Sequence, residues 1–367
     1  MKVAYLFGSL NRGGTETLML DVCQNLQISC FDAIGIYRKG GVLEDHFLQS
    51  GVPFIKLSPG RNILKYLWKL RTLISKNKVE VIHAQQPLDA LYARIASIGM
   101  KVKLVLTFHG FDFNSSSAFT RYIIRRTDRN IFVSHYQKEY YIRKYYLNPG
   151  KQTVVYNGIN FSKFETPLNQ NTNLLLLKEL NIQDSTLLMG MVGNFNEVRD
   201  QLTVCRFLKL LNEKGVDFHF VFVGKRVEST AQCYDDCVDF SQKNNLSERV
   251  TFAGVRNDVP AILSELDAFI YSTEHDTFGI AVVEAIASGI PVFVNDWEVM
   301  NEITEEGKLA VIYKTKDEND LLEKFMLFLQ KQEEYVSRAK ENAEIVRKKY
   351  SIEKHIENLK EVYLSLH

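Results

Sequence analysis

Nothing in these 367 residues is arranged for oxidative cross-linking. The five cysteines, Cys23, Cys30, Cys205, Cys233 and Cys237, are odd in number and include no C-x-x-C pair. That excludes a disulfide scaffold and points to reduced thiols in a cytoplasmic compartment. Cys233 and Cys237 stand one helical turn apart, but no His or further Cys lies near them, so they read as ordinary thiols. No apolar run approaches the ~20 residues that span a bilayer. No secretory pattern opens the chain either. Met1-Lys2 leads directly into Val3-Ala4-Tyr5-Leu6-Phe7, which reads as a buried first strand with no small-residue cleavage site behind it. Repeats and low-complexity segments are missing, and so is an acidic D-x-D-type metal pair. What is left is a soluble globular chain of ordinary composition, 46% hydrophobic and 24% charged, long enough for two full cores.

The net charge of +1 hides an asymmetry. Residues 1–157 hold 22 Lys and Arg against 10 Asp and Glu, a balance of +12, while the remainder holds 23 against 34, a balance of −11. Halves of opposite sign imply two modules with different partners. A basic half suits nucleic acid, an anionic membrane or a phosphorylated substrate. The plainer alternative is a solvated surface that complements the acidic half. Two basic segments are interleaved with aromatics and apolar residues. One is Arg61 to Arg71, with Ile63, Leu64, Leu67, Trp68 and Leu70. The other runs from Arg121 to Lys144, interleaved with Tyr122, Tyr140, Tyr141, Tyr145 and Tyr146. Interfacial Tyr and Trp beside Lys and Arg suit a membrane surface. The competing reading is that the helix at 63–75 simply buries an apolar stripe. Neither segment belongs to a nucleic-acid-binding module, so no nucleic-acid partner is expected.

Strand-like and helix-like segments alternate throughout. Strands are expected at 3–10, 33–37, 79–83, 104–108, 130–133 and 153–156, then at 187–192, 218–223, 250–253, 268–271, 292–294 and 309–312. Val/Ile/Leu-rich strands separated by helices mean a parallel sheet covered on both faces. Because the pattern runs twice, the fold class is α/β with two doubly wound Rossmann-like domains. Asn157-Gly158 is a turn signal after a strand, and with the polar stretch 166–173 it marks the boundary.

Several positions carry chemistry. Glu284 is the one acidic residue in an apolar helix expected from Ile280 to Ser288, which Gly289 and Pro291 terminate. A carboxylate in such surroundings needs hydrogen-bond donors from the protein or a ligand. Ahead of it, Asp276-Thr277-Phe278-Gly279 leaves free N–H groups at a helix N-terminus, a place for an anion. Gly13-Gly14-Thr15-Glu16 also follows a strand and opens a helix, without the G-x-G-x-x-G dinucleotide spacing. His109-Gly110 ends an apolar strand, the ligand position of this architecture, although a His satisfied at a loop start would look the same. His83 ends another strand and has a weaker case. Arg199, in the loop 193–201, taken alone is one surface arginine. Val255-Arg256 follows a strand and a glycine, and Arg256 alone reads equally as a surface residue.

In this order, the motifs resemble those of the retaining glycosyltransferases of the GT-B fold, family 4. The matching residues are Asp276, Phe278, Gly279, Glu284, Ala285, Gly289, Pro291 and Val292, with the Gly-Gly-x-Glu loop, the strand-His-Gly and the Asn-Gly linker before them. The resemblance implies an acceptor-side domain at 1–160, a donor-binding domain at 161–349 and a cleft between them. It also implies a last helix, 350–367, packing back on the first domain. The implied donor is a nucleoside diphosphate sugar. Its diphosphate would be held by Arg199, Gly13, Gly14, Asn194 and the N–H groups near Phe278, Gly279 and Ile280. Glu284 would bind ribose, and Val255 and Arg256 would border the base. Asp276 and His109 would position and polarise the sugar, with Glu16 and His83 on the acceptor side. No metal or other cofactor is implied. The acceptor would be lipid-linked or saccharide, in cell-surface polysaccharide or glycolipid synthesis. Two positions depart from the family pattern: Asp276 stands where Glu is usual, and Asn194 stands where an Arg is usual. They motivate an alternative, a nucleotide-sugar-binding protein without turnover. A sugar-nucleotide epimerase of the same fold is a further alternative that the motifs fit less well.

Overall fold

The computed structural model describes residues 1–367 apart from 29–30, 113–117, 166–174, 181 and 184. Cys30 and the polar stretch 166–173 therefore lie outside the described residues. The chain divides into two compact units, one made of Met1–Asn160 with Tyr350–His367 and the other of Phe161–Lys349.

The first unit is built on β1 (Lys2–Ser9), β2 (Asp32–Lys39), β3 (Phe54–Lys56), β4 (Val81–Ala84), β5 (Lys103–Phe108), β6 (Arg129–Phe132) and β7 (Gln152–Val154). Their order is β3-β2-β1-β4-β5-β6-β7, and every pairing is parallel. Central β1 is buried from Val3 to Gly8, which is why its apolar run is continuous instead of alternating. Val3, Tyr5 and Phe7 pack on one face with Ile352, Ile356, Leu359 and Tyr363. Ala4 and Leu6 pack on the other with Tyr66, Leu70 and Ile74. β3 was not foreseen, because three residues are too few to display a period.

The last helix, Ile352–Leu364, thus completes the core of the first unit. Ser351 caps it by accepting from Lys354 N at 3.1 Å. The strand-like exchange Ile159 N to Tyr350 O (2.8 Å) and Ile352 N to Ile159 O (3.0 Å) fixes where it starts. Gly158 does more than turn the chain. A Cβ there would lie 2.5 Å from His355 Cβ and 2.9 Å from Ile352 Cα, so no larger residue fits under the helix.

The second unit holds β8 (Leu187–Val192), β9 (Phe218–Val223), β10 (Val250–Gly254), β11 (Ala268–Tyr271), β12 (Val292–Asn295) and β13 (Val311–Tyr313). The order is β10-β9-β8-β11-β12-β13, again all parallel. Phe207, Phe293, Phe325 and Phe328 form one contiguous aromatic cluster, each buried ring contributing roughly 1.5–3 kcal/mol. In both sheets the strand order reverses once, between β1 and β4 and between β8 and β11. Loops that leave the carboxyl ends of strands at such a reversal diverge to opposite faces and open a crevice for a ligand.

Candidate active site

At the reversal of the second sheet, the loop after β8 meets the loop after β11, and Arg199 and Asp276 face each other. Arg199 Nη2 lies 3.1 Å from Asp276 Oδ2, and Nη1 donates to Thr273 Oγ1 at 3.1 Å. The guanidinium carbon sits 5.1 Å from the centre of the Tyr271 ring. Thr273 is itself fixed by β12, since its N–H donates to Asn295 Oδ1 (2.9 Å) and its carbonyl accepts from Asn295 Nδ2 (2.8 Å). Arg199 Nε is buried without a partner. Gly193 keeps the space beside it clear, because a Cβ there would stand 3.3 Å from Nε.

Asp276 is well supplied with donors. Tyr271 Oη donates to Oδ2 at 2.7 Å, while Thr277 N (2.7 Å) and Phe278 N (3.3 Å) donate to Oδ1. Trp297 Nε1 holds the Asp276 carbonyl at 3.0 Å. Burial drives the Tyr271 phenol well above its ordinary range, with Arg199 opposing and Asp276 reinforcing the rise, so it stays a proton donor. Asp276 thereby shapes the turn that ends at Gly279, whose φ of +83° is the left-handed region that favours glycine. The helix Ile280–Ala287 follows with no side-chain cap, and half-buried Glu284 sits among fully buried Val282, Val283, Ala285 and Ile286.

Other expected site residues are placed differently. Asn194 is exposed and spends its amide oxygen on Lys225 N at 3.0 Å, tying the loops after β8 and β9 together. Val255 is exposed. Arg256 is saturated by two carboxylates: Nε and Nη2 on Asp258 (2.9 and 2.7 Å), and Nη1 and Nη2 on Glu179 (2.6 and 3.0 Å). Its in-plane N–H groups are spent on fastening the loop after β10, which leaves only the faces of the guanidinium for a base.

In the first unit His109 follows β5, with Nε2 at 2.9 Å from Gln85 Oε1. An amide oxygen only accepts, so with this amide orientation Nε2 carries the proton. Burial, and then the neighbouring His355, push the ring down to about 3. His83 does not line a surface. It is 1% exposed, with Nδ1 at 2.6 Å from Tyr363 Oη and Nε2 at 2.6 Å from Thr107 Oγ1, and acts as a core residue joining β4 and β5 to the last helix. Glu16 curls back over its own helix N-terminus, since a Cβ on Gly13 would lie 2.6 Å from Glu16 Oε2. An anion at Gly13-Gly14 would have to share that place with a carboxylate, which burial shifts upward against the pull of its own N–H.

Sequence reasoning missed His355 and Tyr363, on a helix whose partner strands lie at the other end of the chain. A cavity of about 10 Å³ joins His355 to His83, His109, Gln85 and Asn157. Gln85 Nε2 and Asn157 Oδ1 are buried without a protein partner. Among the described residues no group of three or more His, Cys, Asp or Glu is placed to hold a metal ion.

Two family models match in tandem: Glycosyltransferase Family 4 over residues 12–163 and Glycosyl transferases group 1 over residues 175–346. The chain belongs to the family 4 glycosyltransferases of the GT-B fold. The second match contains Arg199, Asp276 and Glu284, and the first contains Gly13, Gly14, Glu16 and His109. Among curated proteins the chain is similar to the UDP-Gal:alpha-D-GlcNAc-diphosphoundecaprenol alpha-1,3-galactosyltransferase of Escherichia coli, at 27% identity over 77% of this chain and 76% of that one. It is also similar to the N-acetyl-alpha-D-glucosaminyl L-malate synthase of Bacillus anthracis, at 24% identity over 87% and 88%. Among solved structures, Anabaena Alr3699/HepE in complex with UDP superposes with a TM-score of 0.86 at 17% identity, covering all of both chains.

Proposed function

We propose that this glycosyltransferase moves a sugar from a nucleoside diphosphate donor to its acceptor with retention of anomeric configuration, and without a metal ion. The observation that carries the reading is the Arg199–Asp276 pair at the reversal of the second sheet, with an unsatisfied buried Nε beside it. Negative charge grows on the leaving diphosphate in the transition state. A preorganised guanidinium next to a helix N-terminus meets that charge in the way electrostatic catalysis requires. Asp276, held in place by four donors, then positions the sugar, and Glu284 offers its carboxylate to ribose hydroxyls. His109, neutral at physiological pH, gives its one N–H to Gln85 Oε1 and adds no charge. Uridine is the first base to test, since the Escherichia coli relative is named for a UDP-sugar and Anabaena Alr3699/HepE was solved with UDP.

A thermal-shift panel of UDP, GDP and ADP and their sugars ranks donors by mass action. Product analysis of the best donor with a saccharide or lipid-linked acceptor then decides the chemistry. Transferred sugar of unchanged anomeric configuration, undiminished by EDTA, is the expected outcome. Binding without any product would favour an inactive nucleotide-sugar binder, and an isomerised donor would favour an epimerase.

We also place the reaction in the cytoplasm, at an anionic membrane surface. No helix among the described residues is long and apolar enough to cross a bilayer, and the contact proposed is a peripheral one. The helix Ile63–Lys76 buries Tyr66, Leu70 and Ile74 and leaves Leu64 75% and Trp68 65% exposed beside Lys65 and Lys69. Apolar residues flanked by lysines suit an anionic surface, each basic residue adding about 1 kcal/mol. In the second basic segment Tyr141 and Tyr145 are buried, leaving Tyr122 and Tyr146 exposed. Sedimentation with anionic vesicles, lost at high salt and in Trp68→Asp, is expected. Equal recovery in the supernatant under all conditions would remove the membrane from the account.

A further inference from the structure

The reversal of the first sheet holds a second, differently built arginine. Arg38 lies near the end of β2, Gly8 near the end of β1, and Gln86 follows β4 as the N-cap of the helix Pro87–Ala96. The three come from adjacent strands, at the carboxyl ends where the strand order turns. Arg38 is fixed in place: Nε donates to Asp89 Oδ1 at 2.6 Å, with the side chains 13% and 1% exposed. Ser58 Oγ holds the Arg38 carbonyl at 2.7 Å. Yet among the described residues its two terminal amino groups bond nothing in the protein. They stand at Gly8, where a Cβ would lie 2.9 Å from Arg38 Nη2 and 2.6 Å from Gln86 Oε1. A Cβ on Gly8 would press on both groups, so only glycine lets Nη2 and the Gln86 amide sit side by side there. Gln86 gives the adjoining helix no side-chain cap, so the positive end of that helix adds to the same place.

The chain shows what a purely structural arginine looks like. Arg226 lays Nε and Nη2 on both oxygens of Asp235 at 2.9 and 2.8 Å, and Arg256 does the same on Asp258. Arg38 instead leaves Asp89 Oδ2 buried and without a partner, a cost that the side-on geometry would remove. The carboxylate orients the guanidinium, and the fork points away from it.

We propose that Arg38, oriented by Asp89 in front of Gly8, binds a phosphoryl group of the acceptor, so that the acceptor is a phosphate or diphosphate ester. Two parallel N–H groups match two phosphate oxygens, a fit that an ammonium does not reproduce. The proposal rests on the glycosyl-transfer reading only for which molecule brings the phosphate. The donor's own diphosphate is assigned to Arg199.

Inorganic pyrophosphate is the probe, titrated calorimetrically into the full chain carrying Arg199→Ala, so that the donor-side cation is silent. Adding Arg38→Gln is expected to weaken binding about tenfold or more. Arg38→Lys, which keeps the charge on Asp89 and loses the fork, should weaken it about fivefold, and it serves as the test if Arg38→Gln does not fold. In the parent chain, saturating UDP should leave pyrophosphate binding at Arg38 in place. Unchanged affinity in a folded Arg38 variant would overturn the proposal. So would competition between UDP and pyrophosphate with Arg38→Gln weakening both, since the phosphate recognised would then be the donor's. Loss of nucleotide binding by the parent, with Arg38-dependent pyrophosphate binding intact, would end the donor reading and leave this site standing.

Discussion

Acidification from pH 7.5 to 5.5 is expected to destabilise the first unit by about 4 kcal/mol, and three buried histidines set the figure. His83, His109 and His355 are pushed down to about 3, about 3 and about 4. Burial is the main cause in each. The fields of His109 and His355 add to it at His83, and that of His355 at His109. At His355 the bond to the Tyr156 carbonyl, 2.6 Å from Nδ1, works the other way. In the unfolded chain the same rings titrate near ~6.5. Above that pH neither state takes a proton, and stability is independent of these residues. Below it the unfolded chain gains protons that the folded chain refuses, so stability falls as pH drops through 6.5 and keeps falling toward 3–4. At pH 5.5 each ring contributes RT ln(1 + 10), about 1.4 kcal/mol. The two units need not unfold together, so the measurement has to be local. Native-state hydrogen exchange of β1 and β5 amides at the two pH values, corrected for intrinsic exchange, supplies it. In His83→Gln the pH-dependent loss should shrink by about a third. An NMR titration that finds His83 or His355 protonated at pH 5.5 in a still-folded chain would refute the reasoning, as would identical protection at both pH values.

Asp276→Asn is expected to lower transfer by about 10²-fold and Asp276→Glu to retain part of it. The carboxylate is held by Arg199, Tyr271 and two backbone N–H groups, and an amide oxygen carries no charge for Arg199; equal rates in parent and Asp276→Asn would exclude a role in turnover. Gly158→Ala should cost about 1–3 kcal/mol by overpacking against His355 and Ile352, seen as easier proteolysis around residues 350–367, and parental resistance would contradict the packing argument. UDP should stabilise the second unit more than uridine, and Arg199→Ala should erase most of that difference in a thermal-shift comparison, because the buried Nε gains a partner only when phosphate oxygens arrive. Equal shifts for both ligands would separate Arg199 from the diphosphate.

The strands were legible because strands buried on both faces leave the plainest trace a sequence can carry, an unbroken apolar run. β1 is of this kind, and β9 nearly so, with Phe218 to Val223 buried throughout and His219 its one polar residue. β3 left no such trace, and β13 begins two residues later than the apolar run at Leu309. The Arg199 and Asp276 positions were legible from their order after β8 and β11. Their mutual contact was not, because it depends on Thr273, Tyr271 and Gly193, which look like ordinary strand-end residues. His83 shows the opposite failure. A histidine at a strand end reads as exposed to ligand, and only the last helix, arriving from 280 residues away with Tyr363, encloses it. The partners of Arg256 were equally invisible, since Glu179 lies 77 residues distant. Local pattern specifies elements and loop positions, while enclosure is a long-range property.

The state of a guanidinium separates scaffold from site only together with its position, since Arg129 also has a buried Nε without a partner yet stands at the start of β6, bonded to Gly150 and Ser365. Arg226 and Arg256 meet carboxylates with matched forks, the geometry in which an arginine gains most and has least left to offer. Arg199 and Arg38 lie at the two strand-order reversals, and each leaves something undone. Arg199 has a buried Nε without an acceptor, and the Arg38 pair has a buried carboxylate oxygen without a donor. Each such vacancy costs of order 1–3 kcal/mol, a large share of the ~5–15 kcal/mol that separates a folded domain from its unfolded chain. At Arg199 the vacancy is intelligible if a phosphate oxygen completes the set, whereas the Asp89 oxygen lacks a donor that a phosphate does not bring, and what a phosphate would meet at Arg38 is the pair of terminal amino groups; glycine stands beside each arginine, Gly193 and Gly8, where a Cβ would press on the guanidinium.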